Sequence, residues 1–180
     1  MTARTIPTPP VTSATPAEPT VLVVGLGAPD RGDDAVGPIV ARVVDEWHGP
    51  AVRVVAQEDP TGLVQLWEGF HDVIVIDAVA SGAAPGTVVL KDVGMSGETV
   101  PTDAWTSSGR GGTHTFGLAG AVELSRALGT LPEHVLVVGV EAASFAHGHM
   151  SAEVSTAIVD AAETVFIELM RIERTAATCA

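Results

Sequence analysis

The sequence predicts an α/β protein: a single three-layer α/β/α domain on a twisted, mainly parallel sheet of about five strands. Three observations carry this. Apolar runs recur at Val21–Leu26, Val73–Val79 and Val135–Val140, and a strand without polar alternation is one covered on both faces. Segments with apolar residues at helical spacing lie between such runs, so each strand returns to the sheet through a helix and the strands run parallel. At 180 residues the chain has the length of one domain with one core.

Each element follows from its own pattern. Five of the 12 prolines (Pro7, Pro9, Pro10, Pro16 and Pro19) fall in residues 1–20, where they interrupt helix and ladder alike and predict a disordered leader. After the first strand, Val36, Ile39, Val40, Val43, Val44 and Trp47 share one helical face. Pro38 belongs in or just after the first turn of that helix, where a missing amide costs least. Ala51–Ala56 reads as the second strand, and a short helix follows near Gly62–Gly69. Val73–Val79 is a further buried strand, and the more polar Thr87–Val93 suits a sheet edge. Residues 94–112 are rich in Gly, Ser and Thr without periodicity, and a loop of this length is usually functional or mobile. His114–Leu128 reads as a helix stopped by Gly129 and Pro132. Val135–Val140 is the last strand. Ala152–Ile172 is the last helix, with Val154, Ile158, Ala161, Val165, Leu169 and Ile172 in one stripe. The domain is therefore expected over residues 21–172, with a frayed tail at 173–180. No internal repeat is visible.

Composition removes several functions. Nine Lys and Arg stand against 22 Asp and Glu, a formal net charge of −13. Nine scattered cations cannot form the basic stripe that nucleic acid requires, and the same balance disfavours anionic lipid. Charged residues make up only 17% and hydrophobic ones 46%, so the chain is globular rather than a solvated acidic polymer. One cysteine, Cys179, allows no internal disulfide and no four-cysteine zinc site, which points to a reducing, cytoplasmic compartment. Residues 1–20 lack the continuous apolar core of a signal peptide, and Val21–Leu26 is too short to span a bilayer. The expectation is a soluble monomer.

Ligands of open parallel sheets bind beyond the carboxyl ends of the strands. The first strand ends in G-L-G-A-P-D-R-G-D-D-A-V-G, Gly25 to Gly37. A dinucleotide fingerprint would need glycine where Asp30 stands. Asp30, Asp33 and Asp34 would also crowd the helix N-terminus on which a pyrophosphate should rest. No nucleotide is expected. For either Asp33 or Asp34 alone, capping the following helix is the ordinary reading. Only one of two neighbours can cap, so the other is free to act as a metal ligand or general base. Asp77 closes the buried run Val73–Ile76, where a charge costs several kcal/mol unless paired or facing a cleft. His114 follows the long loop. A helix start disfavours its cation, and the neutral imidazole suits a metal. Asp34, Asp77 and His114 together form an O,O,N set fit for a divalent transition metal with open positions. His147 and His149 could clamp a metal but read as a loop pair, and His48, His71 and His134 read as surface. There is no G-x-S-x-G elbow, Cys179 is a poor nucleophile, and Trp105 in the long loop either contacts a partner or covers the cleft.

From Val21 to Met170 the chain resembles the hydrogenase maturation proteases. The segments that carry the likeness are V-L-V-V-G-L-G-A-P-D-R-G-D-D-A-V-G-P, V-I-V-I-D-A-V-A-S-G-A-A-P-G-T, T-H-T-F-G-L-A-G-A-V-E-L, L-P-E-H-V-L-V-V-G-V-E and M-S-A-E-V. The family usually has Asn where Ala28 stands and often Gly where Ala35 stands. The resemblance implies an endopeptidase that removes a C-terminal peptide from the nickel-loaded large-subunit precursor of a nickel-iron hydrogenase. It implies that the nickel belongs to the substrate and is contacted by Asp34, Asp77 and His114. Two rivals remain at this stage. One is a non-catalytic nickel-centre checkpoint or chaperone binding the same precursor, and the other is a nucleotide-binding enzyme, disfavoured by Asp30.

Overall fold

The computed structural model describes residues 19–95, 97 and 117–179. Most of the expected leader, most of the 94–112 loop with Trp105, and His114 lie outside the described residues. Five strands form one sheet: β1 (Val21–Leu26), β2 (Val52–Gln57), β3 (Asp72–Val79), β4 (Val88–Asp92) and β5 (His134–Glu141). Their order is β2-β1-β3-β5-β4. All neighbours are parallel except β4, which runs antiparallel to β5 at the edge. The reason lies in the link from β3 to β4, which has no helix and is too short for a crossover.

Four helices cover the sheet: α1 (Val36–Asp45), the single turn α2 (Leu63–Leu66), α3 (Leu118–Leu128) and α4 (Ala152–Cys179). Side chains alternate across each strand. Val21, Val23, Ile74 and Ile76 pack with α1 and α4 on one face, and Leu22, Val24, Val73 and Val75 pack with α2 and α3 on the other. This two-sided burial is why the strands carry no polar alternation. On the second face the Trp67 indole donates to Ser125 Oγ at 3.1 Å, joining the end of α2 to α3. No helix among the described residues is long and apolar enough to cross a membrane.

Three expectations are corrected. The helix read from His114 starts at Leu118, because Gly117 ahead of it is extended. Trp47 is 75% exposed rather than on the buried stripe, because α1 ends at Asp45 and a turn closed by Trp47 N–H to the Val44 carbonyl carries it away. Residues 173–179 are not frayed: α4 runs through Cys179. There the Thr175 and Thr178 hydroxyls donate to the carbonyls of Arg171 and Arg174, and good helix formers extend the helix beyond its apolar stripe.

Two glycines set how closely α1 lies on the sheet. A Cβ on Gly25 would meet the Gly37 carbonyl and Ala41 Cβ, and one on Gly37 would press into the carbonyl oxygens of Leu26 and Ile76. The start of α1 thus rests directly on the ends of β1 and β3. In a free helix Gly→Ala gains about 1 kcal/mol. Here the opposing atoms are strand backbone and cannot swing aside, so an overpacking cost of about 1–3 kcal/mol wins. Gly37→Ala is expected to lower the stability measured by urea unfolding, and a more stable variant would refute the close contact.

Candidate active site

From β1 the chain leads to β2 on one side, while β3 lies on the other, so the direction of winding reverses between β1 and β3. In open α/β sheets a crevice forms beyond the strand ends at such a point. Gly27 turns the chain out of β1 with φ of 134°, and any Cβ there would run into the Asp34 carbonyl. A 3-10 turn, Gly32–Ala35, follows and presents Asp33 and Asp34 before α1 starts. Asp77 arrives from β3.

Neither Asp33 nor Asp34 caps a helix, contrary to the expectation for one of them. Asp33, 1% exposed, reaches across to the segment after β5. Its Oδ2 accepts the amides of Ala143 (2.8 Å) and Ser144 (3.0 Å), and its Oδ1 accepts that of Ser151 (2.6 Å). Burial alone would raise this carboxyl, but the hydrogen bonds from Ser151, Ser144 and Ala143 outweigh it and hold the group below the usual carboxylate range. Ser151 in turn caps α4, its Oγ accepting the Val154 amide at 3.3 Å. Asp34 is also buried, and its Oδ2 accepts the Ala28 amide at 2.9 Å. This contact uses backbone only, so alanine at position 28 serves it.

Asp77 differs. It is 2% exposed, on the face of the sheet that carries α2 and α3, and its partner in register on β5 is Gly139, which has no side chain to offer. Its Oδ1 has no hydrogen-bond partner among the described residues. Burial, and next the charge of Asp34, push its carboxyl well above the usual range, against a smaller opposing effect from the Ala78 amide. Two buried carboxyls near enough to repel, one with an orphaned oxygen, form a place where a bound cation would relieve the cost of ionisation. The donor set fits a divalent metal.

Sequence reasoning missed Glu141. This 3% exposed carboxylate ends β5 and accepts the Ser81 amide (2.9 Å), the Ser81 hydroxyl (2.7 Å) and the Gly82 amide (2.9 Å). It ties the end of β5 to the turn after β3. An acid closing an apolar run was the signal that singled out Asp77, and Glu141 carries the same one. His147 and His149 are exposed, in a loop joined to the 3-10 turn by Gly32 N–H to the Gly148 carbonyl (3.2 Å). They gather no third metal-binding side chain among the described residues.

A mainly parallel α/β domain with buried carboxyls at its switch point is the class that fold and site define. Residues 58–168 match the family model described as hydrogenase maturation protease (HycI); the matched span includes Asp77 and His114 and begins after Asp34. The chain belongs to the hydrogenase maturation protease family, a family of peptidases. Among solved structures it is similar to the hydrogenase maturating endopeptidase HybD from E. coli, with 23% identity, a TM-score of 0.68, and coverage of 84% of this chain and 92% of that one. It is also similar to a solution structure of an endopeptidase from Escherichia coli, with 22% identity, a TM-score of 0.70 and the same coverage of 84% and 92%. A third is the hydrogenase 2 maturation peptidase from Thaumarchaeota archaeon SCGC_AB-539-E09, with 25% identity, a TM-score of 0.56, and coverage of 83% and 97%. These likenesses support the fold. No curated protein matches the chain.

Two predictions follow from the carboxylates. Asp33→Ala leaves three amides without their acceptor, and hydrogen bonds to a charged group are worth about 1.5–3 kcal/mol each. A loss of at least about 3 kcal/mol is expected in denaturant unfolding. Asp77, raised in the folded state, contributes stability while protonated and loses it as pH rises through its folded pKa. Asparagine does not titrate. In metal-free protein the Tm of Asp77→Asn should therefore gain on the parent with rising pH above the usual carboxylate range and lose that gain in acid; thermal scans across pH check this.

Proposed function

We propose that this chain is an endopeptidase that removes a C-terminal peptide from the nickel-loaded large-subunit precursor of a nickel-iron hydrogenase, reading the substrate's own nickel. The observation that carries this is Asp77: a buried carboxyl with one oxygen unpartnered among the described residues, beside Asp34, in a chain of the hydrogenase maturation protease family. Asp34, Asp77 and His114 supply two carboxylates and an imidazole to the metal of the precursor. Three protein donors leave coordination positions for the ligands the substrate already provides. In the sequence His114 precedes α3, the helix packed on the face toward which Asp77 projects.

Held by its metal centre, the precursor places its scissile bond in the crevice, so that attack becomes effectively intramolecular. A water attacks the carbonyl and gives its proton to a carboxylate of the crevice; as the C–N bond breaks that proton passes to the departing amine, and the cation would offset the charge that develops on the carbonyl oxygen. No nucleotide takes part. That reading is supported by Asp30 in the loop and by Gly25 and Gly37, which serve close packing of α1. The reading places a monomer in the cytoplasm, in keeping with a single cysteine.

The test is to incubate nickel-loaded precursor with the parent protein and with Asp34→Ala, Asp77→Ala and His114→Ala, and to follow the intact mass of the precursor. The parent is expected to shorten the precursor, and each variant to trim it at least about 100-fold more slowly. Unchanged trimming in the variants would overturn the residue roles. Binding by the parent without any mass loss would make it a checkpoint or chaperone instead.

A further inference from the structure

At the end of the sheet opposite the crevice, β3 and β5 begin and the antiparallel β4 ends, which brings residues from three strands together. Asp72 and His134 are partners in the β3–β5 register, and the His134 amide donates to the His71 carbonyl at 3.1 Å. The two imidazoles meet edge to face with centroids 5.4 Å apart. His71 Nδ1 lies 2.9 Å from Asp72 Oδ2, and His134 Nδ1 lies 3.6 Å from Asp92 Oδ2. One donor atom from each of His71, Asp72 and His134 falls within 4.8 Å of the others.

We propose that His71, Asp72 and His134, with Asp92 beside them, bind one borderline divalent transition-metal ion such as zinc or nickel, at a site separate from the carboxylate crevice. Two imidazoles and a carboxylate suit zinc, nickel or cobalt and are a poor set for magnesium or calcium, which take oxygen donors. Metal–donor bonds of about 2.0–2.2 Å require the donor atoms to draw in to roughly 3.4 Å from one another. Both imidazoles are exposed, with 67% and 46% of their side-chain surface in solvent, so their χ angles are free to close that gap. Asp92 is placed to orient the His134 ring or to complete the coordination. The groove alongside, about 730 Å³ between the β4–β5 edge and α4, gives an ion and its waters open access. Its cation, Arg171, is already paired with Glu168 at 3.3 Å, and the chain carries a net charge of −13. An ion held there joins the ends of β3, β5 and the edge strand β4, and so stabilises the fold by mass action.

The full metal-free chain is titrated with zinc, and separately with magnesium, by calorimetry and by thermal unfolding. The variants are His71→Ala, His134→Ala and the double variant Asp34→Asn/Asp77→Asn. Zinc, not magnesium, is expected to bind and to raise Tm in the parent. Each histidine variant should weaken this at least about tenfold, while the aspartate double variant keeps it. Zinc binding unchanged in the histidine variants would overturn the proposal. So would binding lost only with Asp34 and Asp77, a result that leaves the proposed function standing. Should a histidine variant fold poorly, imidazole proton NMR of the parent decides. Zinc is expected to move the His71 and His134 resonances and not that of His48, and movement confined to other histidines would sink the site.

Discussion

The carboxylate of Asp33 holds together the end of this molecule at which the candidate site lies. It lies in the turn after β1, yet all three of its amide donors belong to the segment between β5 and α4. Hydrogen bonds to a charged group, at about 1.5–3 kcal/mol each, offset the several kcal/mol that burying the charge costs. The net effect on stability is smaller than the effect on position. With Asp33 committed to Ala143, Ser144 and Ser151, the 3-10 turn is fixed and its neighbour Asp34 stays on the crevice side. Glu141 repeats the device at the end of β5, two strands from β1, binding Ser81 and Gly82. The loops after β1, β3 and β5 are thereby laced to one another by two buried carboxyl groups.

Asp77 makes sense against those two. All three carboxyls are almost fully buried, so burial does not separate scaffold from site. Hydrogen-bond partners do. Asp33 and Glu141 each have backbone amides aimed at them, whereas an oxygen of Asp77 has no partner among the described residues and the carboxyl feels the charge of Asp34. A folded protein holds such a group only at a cost, and a bound cation would remove it.

The glycines around the first strand look in the sequence like the beginnings of a phosphate loop. In the fold they serve contact and turn: Gly25 and Gly37 bring α1 onto the ends of β1 and β3, and Gly27 supplies a positive φ. The same close approach sets Asp34 near Asp77, so the turn after β1 also assembles the acidic pair. Sequence periodicity found every strand and described helix, because apolar spacing reports directly on which faces are buried. It erred at Trp47 and at the C-terminal end of α4, where no burial constrains the pattern and local turn and helix preference decide.

By itself the sequence determined the three layers, the edge position of β4, and Asp34 and Asp77 as acids at strand ends, since each is written in residues near one another along the chain. Only the tertiary structure decided that Asp33 and Glu141 are braces while one oxygen of Asp77 has no partner among the described residues. It alone brought His71, Asp72, His134 and Asp92 to one corner. The physical reason is distance along the chain: Asp33 and its donor Ser151 are 118 residues apart. A hydrogen bond that short in space and that long in sequence leaves no local pattern to read.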